Sequence, residues 1–154
     1  MLYSVRLNAT RGRQVKRGVR LHMVSDKQAT EYPCPGCGYL VFDEPPGSYA
    51  ICPICFWEDD HVQLRFPTLE GGANKLSLIQ SQKNFVEFGA CEKRFQRDVR
   101  KPKKTDLRDP EWRMIDESKD RFEEPINDIE QFTPYPDDVA TLYYWSSRYW
   151  RNAI

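Results

Sequence analysis

Apolar residues in this chain come in short, separate clusters, and each cluster predicts a different small element. Tyr39 and Val41, then Tyr49 and Ile51, alternate with other residues on either side of Glu44-Pro45-Pro46-Gly47-Ser48. Alternation interrupted by a Pro-Gly stretch predicts a β-hairpin. Leu78, Phe85 and Val86 share a stripe in a segment that opens on Ser77, has Gln80 three residues on, and closes on Gly89. Those signals predict a helix over about 77–89 with a capping box at its start and its stripe buried. Phe95 and Val99, four apart among basic residues, predict a second short helix inside the stretch 91–104. From 105 to 136 the apolar positions Trp112, Ile115, Phe122, Ile126 and Phe132 follow no period and sit among acids and prolines. They predict a long irregular acidic arm that anchors onto the core at separate points, because a disordered segment would lack such anchors. Val139, Leu142, Tyr143, Ser146, Tyr149 and Trp150 fall at helical spacing and predict a last helix over about 137–151, capped by Asp137 or Asp138. Tyr144, Trp145, Arg148 and Arg151 would lie on its other side as a binding face, unless the 105–136 arm folds back and covers both faces.

Two Cys-x-x-Cys pairs interrupt this pattern. Cys34/Cys37 and Cys52/Cys55 are separated by fourteen residues. Each first cysteine is followed by a proline, which fixes φ, and Cys37 is followed by Gly38, which permits a left-handed turn. Two such turns facing each other supply four thiolates in a tetrahedron, the ligand set of a structural Zn²⁺. The spacing falls just short of the common zinc window of that form. A disulfide framework suits short secreted chains, and no signal-peptide pattern is legible here. A redox dithiol is normally single and opens the helix of a βαβ unit, which this pattern lacks. The expected fold is therefore α+β: a zinc-ribbon hairpin core over 32–57, two to three helices and the acidic arm. A closed four-sulfur site leaves no position for water or substrate, so one structural zinc is expected, with no catalytic metal.

Composition changes the picture in two ways. Of 154 residues, 40% are apolar, 30% charged and 11 are proline, a poor supply for a large core. Metal binding would offset that shortage in a single domain over 31–154. Charge is balanced overall, with 23 basic and 23 acidic residues, but residues 1–30 take seven basic ones against only Asp26. The remainder is thus net acidic by about six charges. The segment 1–30 reads as a nucleic-acid-binding arm, a transit peptide, or an unspecific extension with Met23 as the working start; Leu2, Val5 and Leu7 would also allow a short strand. Nothing approaches a membrane span, and four ligand cysteines beside an unpaired Cys91 predict a reduced, cytoplasmic setting.

Other motifs carry less. Glu58-Asp59-Asp60-His61 could be read as a second metal site or an acid/base group, but neighbours in an extended chain point to opposite faces. A solvated acidic loop, with Trp57 covering the ribbon, is the expected reading. Gly71-Gly72-Ala73-Asn74-Lys75 lacks the spacing of a phosphate loop and is read as a turn.

Cys34-Pro35-Gly36-Cys37-Gly38, Pro46-Gly47-Ser48-Tyr49 and the run Ile51 to Asp60 together resemble the bacterial cysteine-rich CPCC family. Gly72 to Leu78, Phe88 to Cys91 and Val99 to Pro102 are similar to its later blocks. The family is named for Cys-Pro-Cys-Cys, and Gly36 stands where its middle cysteine would be, which implies that the middle cysteine is not a required ligand. The resemblance implies a stand-alone bacterial protein, with immunity proteins against polymorphic toxins as the functional analogy.

Three functions follow as expectations. The first is non-enzymatic protein binding, as an immunity protein neutralising a toxin, through Glu58, Asp59, Asp60, Tyr144, Trp145 and Arg148. An acidic body steers quickly onto a basic partner. The second is nucleic-acid binding through the ribbon and the basic stretches 6–20 and 93–104. The third is an enzyme using Glu58, Asp59 and His61 with a second metal.

Overall fold

A computed structural model of the chain describes residues 32–125 and 133–153. The basic extension 1–30 and the anchors Ile126 and Phe132 lie outside the described residues. The regular framework is small: a two-stranded antiparallel hairpin, two helices and a four-cysteine cluster, joined by irregular chain.

Strand β1 (Tyr32–Pro33) pairs with β2 (Leu40–Phe42), with Tyr32 opposite Phe42 and Pro33 opposite Leu40. These strands flank the first cysteine pair, not the loop between the pairs. Residues 49–51 turn instead to 58–59: Ile51 faces Glu58, the Tyr49 N–H donates to Asp59 O (3.0 Å) and the Asp59 N–H donates to Ala50 O (2.9 Å). The expected hairpin between the two pairs, built from Tyr39–Val41 and Tyr49–Ile51, is therefore replaced by one short closure around each pair. Two causes are visible. Pro45 and Pro46 remove two N–H donors from the connecting chain. The backbone near Tyr39 is already bonded, with the Leu40 N–H on Leu107 O at 2.9 Å.

Helix α1 (His61–Arg65) occupies part of the stretch expected to be an acidic loop. Asp60 is its N-cap, accepting from the N–H groups of Val62 (2.7 Å) and Gln63 (3.3 Å). Helix α2 (Leu78–Phe88) starts at the Ser77 cap and ends at Gly89, whose φ of 83° is the left-handed closure expected there. Ser77 Oγ accepts from the Gln80 N–H (3.3 Å), but the Gln80 side chain bonds Asn84 (2.9 Å) rather than returning to Ser77, so the capping box is half formed. The inward stripe is Leu78, Ser81, Gln82 and, partly, Phe85; Val86, expected inside, is 66% exposed. Position 86 lies one residue past the i, i+3, i+4, i+7 row that starts at Leu78.

The second short helix expected in 91–104 is reduced to a 3₁₀ turn, Lys93–Phe95. Its backbone is committed elsewhere: the Cys91 N–H donates to Cys55 O (2.6 Å) and the Arg100 N–H to Pro53 O (3.0 Å). The arm then runs irregularly along the core, with Trp112, Ile115 and Phe122 packed against it.

The expected last helix is two 3₁₀ turns, Val139–Leu142 and Trp150–Ala153, and Tyr143 turns extended between them (φ −63°, ψ 104°). Leu142, Tyr143, Tyr144 and Trp145 are all buried, and four consecutive inward residues are incompatible with one helix face. Each aromatic polar atom finds a partner. Tyr143 Oη donates to Pro33 O (3.1 Å), Tyr144 Oη to the Arg113 carbonyl, and Trp145 Nε1 to Asp109 (2.8 Å). The arm has folded back over the tail. Arg65 closes the far end, ion-paired to Glu123 at 2.8 Å and stacked on Tyr135 and Trp150. No helix among the described residues is long and apolar enough to cross a membrane.

Candidate metal centre

Two turns of the same design build the site. In the first knuckle the Cys34 N–H donates to Tyr39 O (2.8 Å) and the Gly38 N–H to Cys34 O (2.7 Å). In the second the Cys52 N–H donates to Trp57 O (2.8 Å) and the Phe56 N–H to Cys52 O (2.9 Å). The residue after each second cysteine is left-handed: Gly38 at φ 80° and Phe56 at φ 70°. A glycine adopts this freely, whereas a phenylalanine is strained there by about 1–2 kcal/mol. In the second knuckle the N–H groups of Ile54 and Cys55 also point at Cys52 Sγ, both at 3.4 Å.

The turns face each other. The four Sγ atoms of Cys34, Cys37, Cys52 and Cys55 all lie within 4.8 Å of one another, and all four residues are fully buried. Cys34 meets Cys55 at 3.5 Å and Cys37 meets Cys52 at 3.7 Å. A disulfide would need about 2.05 Å, and all four cysteines are free. Burial pushes the Cys34 and Cys55 thiols well up. Burial raises Cys52 as well, but hydrogen bonds from the other three thiols outweigh it and bring that group well down. The cluster therefore favours negative charge at Cys52 and resists it at Cys34 and Cys55, as expected of buried anions with no cation among them. The quartet can hold a metal ion.

What surrounds the quartet is structural. Trp57 is fully buried, and Gly36 lies beside it: a Cβ at 36 would stand 3.2 Å from Cys55 Sγ and 3.3 Å from Trp57 Cβ. Gly38 is covered by Trp112, whose ring would be 2.6 Å from a Cβ there. The Trp112 indole N–H donates to Pro35 O (3.1 Å) and Arg108 Nε to Cys37 O (2.9 Å), so the arm seals the first knuckle.

Residues 32–106 match the family model described as Cysteine-rich CPCC. Over that stretch the chain is a cysteine-rich CPCC protein. No curated protein matches the chain. The match spans both knuckles, both helices and residues 91–100 but stops before most of the arm and the tail. In this CPCC protein Gly36 takes the middle position of the name-giving motif, beside the quartet and outside it.

The other expected site residues are placed differently. Asp59 is buried, and its Oδ2 accepts from Gly47 N–H (3.0 Å), Ser48 N–H (3.1 Å) and Ser48 Oγ (2.7 Å), pinning the 43–48 loop to the second knuckle. Burial pushes its carboxyl up from the ordinary range. Asp60 is buried as the α1 cap, with its second oxygen on the Ala73 N–H (3.0 Å). Glu58 is half-buried, its N–H held by Asn74 at 2.9 Å. Tyr144 and Trp145 are buried, and Arg148 is exposed on an ion pair with Asp138 (2.6 Å). Of the six residues expected to form a partner face, Asp59, Asp60, Tyr144 and Trp145 are buried, Glu58 is half-buried and Arg148 is exposed.

The buried amides are what sequence reasoning missed. Gln82 Nε2 donates to Pro35 O (2.9 Å) and Tyr144 Oη (3.0 Å), while its oxygen accepts from the Ile115 N–H (2.9 Å). Gln63 Nε2 holds the carbonyls of Leu69 (3.0 Å) and Asn74 (3.0 Å). A glutamine at a core-facing helix position was the one available signal. Cys91 stays outside the quartet; burial pushes its thiol up to about 12.

Proposed function

We propose that the quartet holds one structural Zn²⁺ in a zinc-ribbon-like arrangement, and that the protein is non-enzymatic and acts by binding. One observation carries this: sulfur pairs at 3.5 and 3.7 Å across two facing knuckles. Zinc–sulfur bonds of about 2.3 Å in a tetrahedron place sulfurs about 3.8 Å apart. Four sulfurs fill that tetrahedron and leave no open position for a reacting group. Zinc is favoured over harder cations because thiolates are soft donors. The test is elemental analysis of the purified chain, with cobalt substitution read as sulfur-to-metal charge-transfer absorption. One metal per chain, lost in Cys37→Ser, is expected. A metal-free folded protein would end the reading.

The immunity-protein reading is supported by the acidic balance of residues 31–154. The face first named for it is largely inside the molecule, so a toxin would have to meet another surface. Titration calorimetry against a basic toxin domain encoded next to this chain tests it, and no heat of binding would remove it. Nucleic-acid binding is supported by a different observation, the basic stretch 93–104 at the second knuckle.

A further inference from the structure

Residues 91–100 form a strap across the second knuckle. They are pinned at both ends, by Cys91 N–H on Cys55 O (2.6 Å) and Arg100 N–H on Pro53 O (3.0 Å). Between the pins Phe95 stacks on Phe56, with centroids 3.9 Å apart and planes at 21°, and both rings are half-buried. The strap and its continuation to 104 carry seven basic residues. Two are spent on internal pairs: Arg94 with Glu92 (2.8 Å) and Arg100 with Asp106 (2.7 Å). Lys93, Arg97, Lys101, Lys103 and Lys104 are exposed, and their side chains form no ion pair with a described residue, although the Lys103 backbone N–H donates to Asp106 (2.5 Å). Asp98 is the one unpaired acid among them. Solubility does not call for such a concentration of one sign, least of all on a body whose net charge is of the other sign.

We infer that this strap, with the Phe56–Phe95 pair beside it, binds single-stranded nucleic acid. The five exposed cations meet a phosphate backbone, and a base stacks on the aromatic pair, where the Arg94 guanidinium otherwise lies over the Phe95 ring at 4.4 Å. An acidic polypeptide would use the cations but not the rings. A duplex would keep its bases in its own stack. The inference rests on the reading of the chain as a zinc-held binding protein, since the pins attach to the second knuckle.

The experiment is fluorescence anisotropy of the full zinc-loaded chain with labelled RNA and DNA single strands of about 20 nucleotides. A duplex of the same sequence and polyglutamate are run in parallel. Single strands should bind tightest, with log K falling against log salt at a slope of about −0.7 per phosphate contact, near −3.5 for five contacts. Reversing Lys93, Arg97 and Lys101 to Glu should weaken binding at least about tenfold and flatten that slope by about 2. Phe95→Leu should weaken binding and leave the slope unchanged. Zinc is counted on every variant, and reversal of Lys101, Lys103 and Lys104, outside the pins, repeats the test if the first variant loses metal. Equal binding of polyglutamate, preference for duplex, or a loss of affinity seen only on reversing Arg11, Arg13 and Arg17 would overturn the inference. Loss of zinc in the unmodified chain would instead overturn the metal reading beneath it.

Discussion

The two knuckles share one hydrogen-bond scheme and differ in what lies over them. Each begins with Cys-Pro, closes with a bond from the first cysteine's N–H to the carbonyl five residues on, and places a left-handed residue after its second cysteine. In the first knuckle that residue is Gly38, and Trp112 sits where a side chain would stand. In the second it is Phe56, which reaches outward to Phe95. The local turn is thus dictated by the metal-binding pattern, and the left-handed position registers the cover. Where the chain's own arm packs on the turn, the position is empty of side chain. Where the strap supplies the packing, the position carries a ring and accepts the strain.

The largest expected effect erases the comparison. Replacing one ligand in either knuckle, Cys37→Ser or Cys52→Ser, or stripping the metal with a chelator, should unfold the described core to the same extent. A structural zinc contributes on the order of 10–16 kcal/mol in small metal domains. Circular dichroism with metal analysis would check this, and a folded Cys52→Ser protein would separate the knuckles into unequal partners.

A smaller effect sharpens the comparison. Gly38→Ala should cost about 2–4 kcal/mol, from left-handed strain and overpacking against Trp112. Phe56→Gly at the matching position should stay within about 1 kcal/mol, because relief of strain offsets the lost stacking. Urea denaturation of the two variants reads the difference. Placing Gly38→Ala in a Trp112→Ala background should recover at least about 1 kcal/mol of its cost, measured as a double-mutant coupling. Additive effects would mean that Trp112 does not cover the turn.

The same contrast of inside and outside applies to the tail. Tyr144→Phe should cost about 1–3 kcal/mol, since it strands the Arg113 carbonyl and removes one acceptor of the Gln82 amide. Arg148→Ala, which breaks an exposed pair, should change stability by less than about 0.5 kcal/mol. Equal effects in thermal melts would put Tyr144 back on the surface.

The smallest effect separates the fifth cysteine from the four. Cys91→Ala should leave the metal content unchanged. With its thiol pushed up to about 12 by burial, Cys91 is almost wholly protonated at pH 8.5 when folded and about half ionised when unfolded. A raised pKa favours the folded state only while the group stays protonated, so this contribution fades as pH rises past the unfolded value toward 12. Alkylation at pH 8.5 should accordingly be much slower in the native protein than in urea, as mass spectrometry would show. Rapid native labelling would contradict the burial.

The four-cysteine cluster and the 77–89 helix were legible because their signals are local: a spacing, two prolines, a serine cap and a closing glycine. The elements misread depend on distant chain. The alternation of Tyr39 and Val41 with Tyr49 and Ile51 was real, but each half took its own nearer partner across a knuckle. Asp59 looked solvated because its partners, the N–H groups of Gly47 and Ser48, lie on a distant loop; Asp60 caps α1 locally through Val62 and Gln63 and also reaches the Ala73 N–H. The helical spacing in 139–150 was an accident of a segment so rich in aromatics that several registers score alike. Whether those rings face water depended on Asp109, Arg113 and Phe122, some thirty residues upstream.

Gln82 lets one amide group grip the first knuckle, the arm and the tail at once. A molecule tied through a single shared node should yield to a mechanical pull in one rupture, without peeling apart piece by piece. Force spectroscopy would then record a lone peak, and Gln82→Ala should split it into several weaker ones.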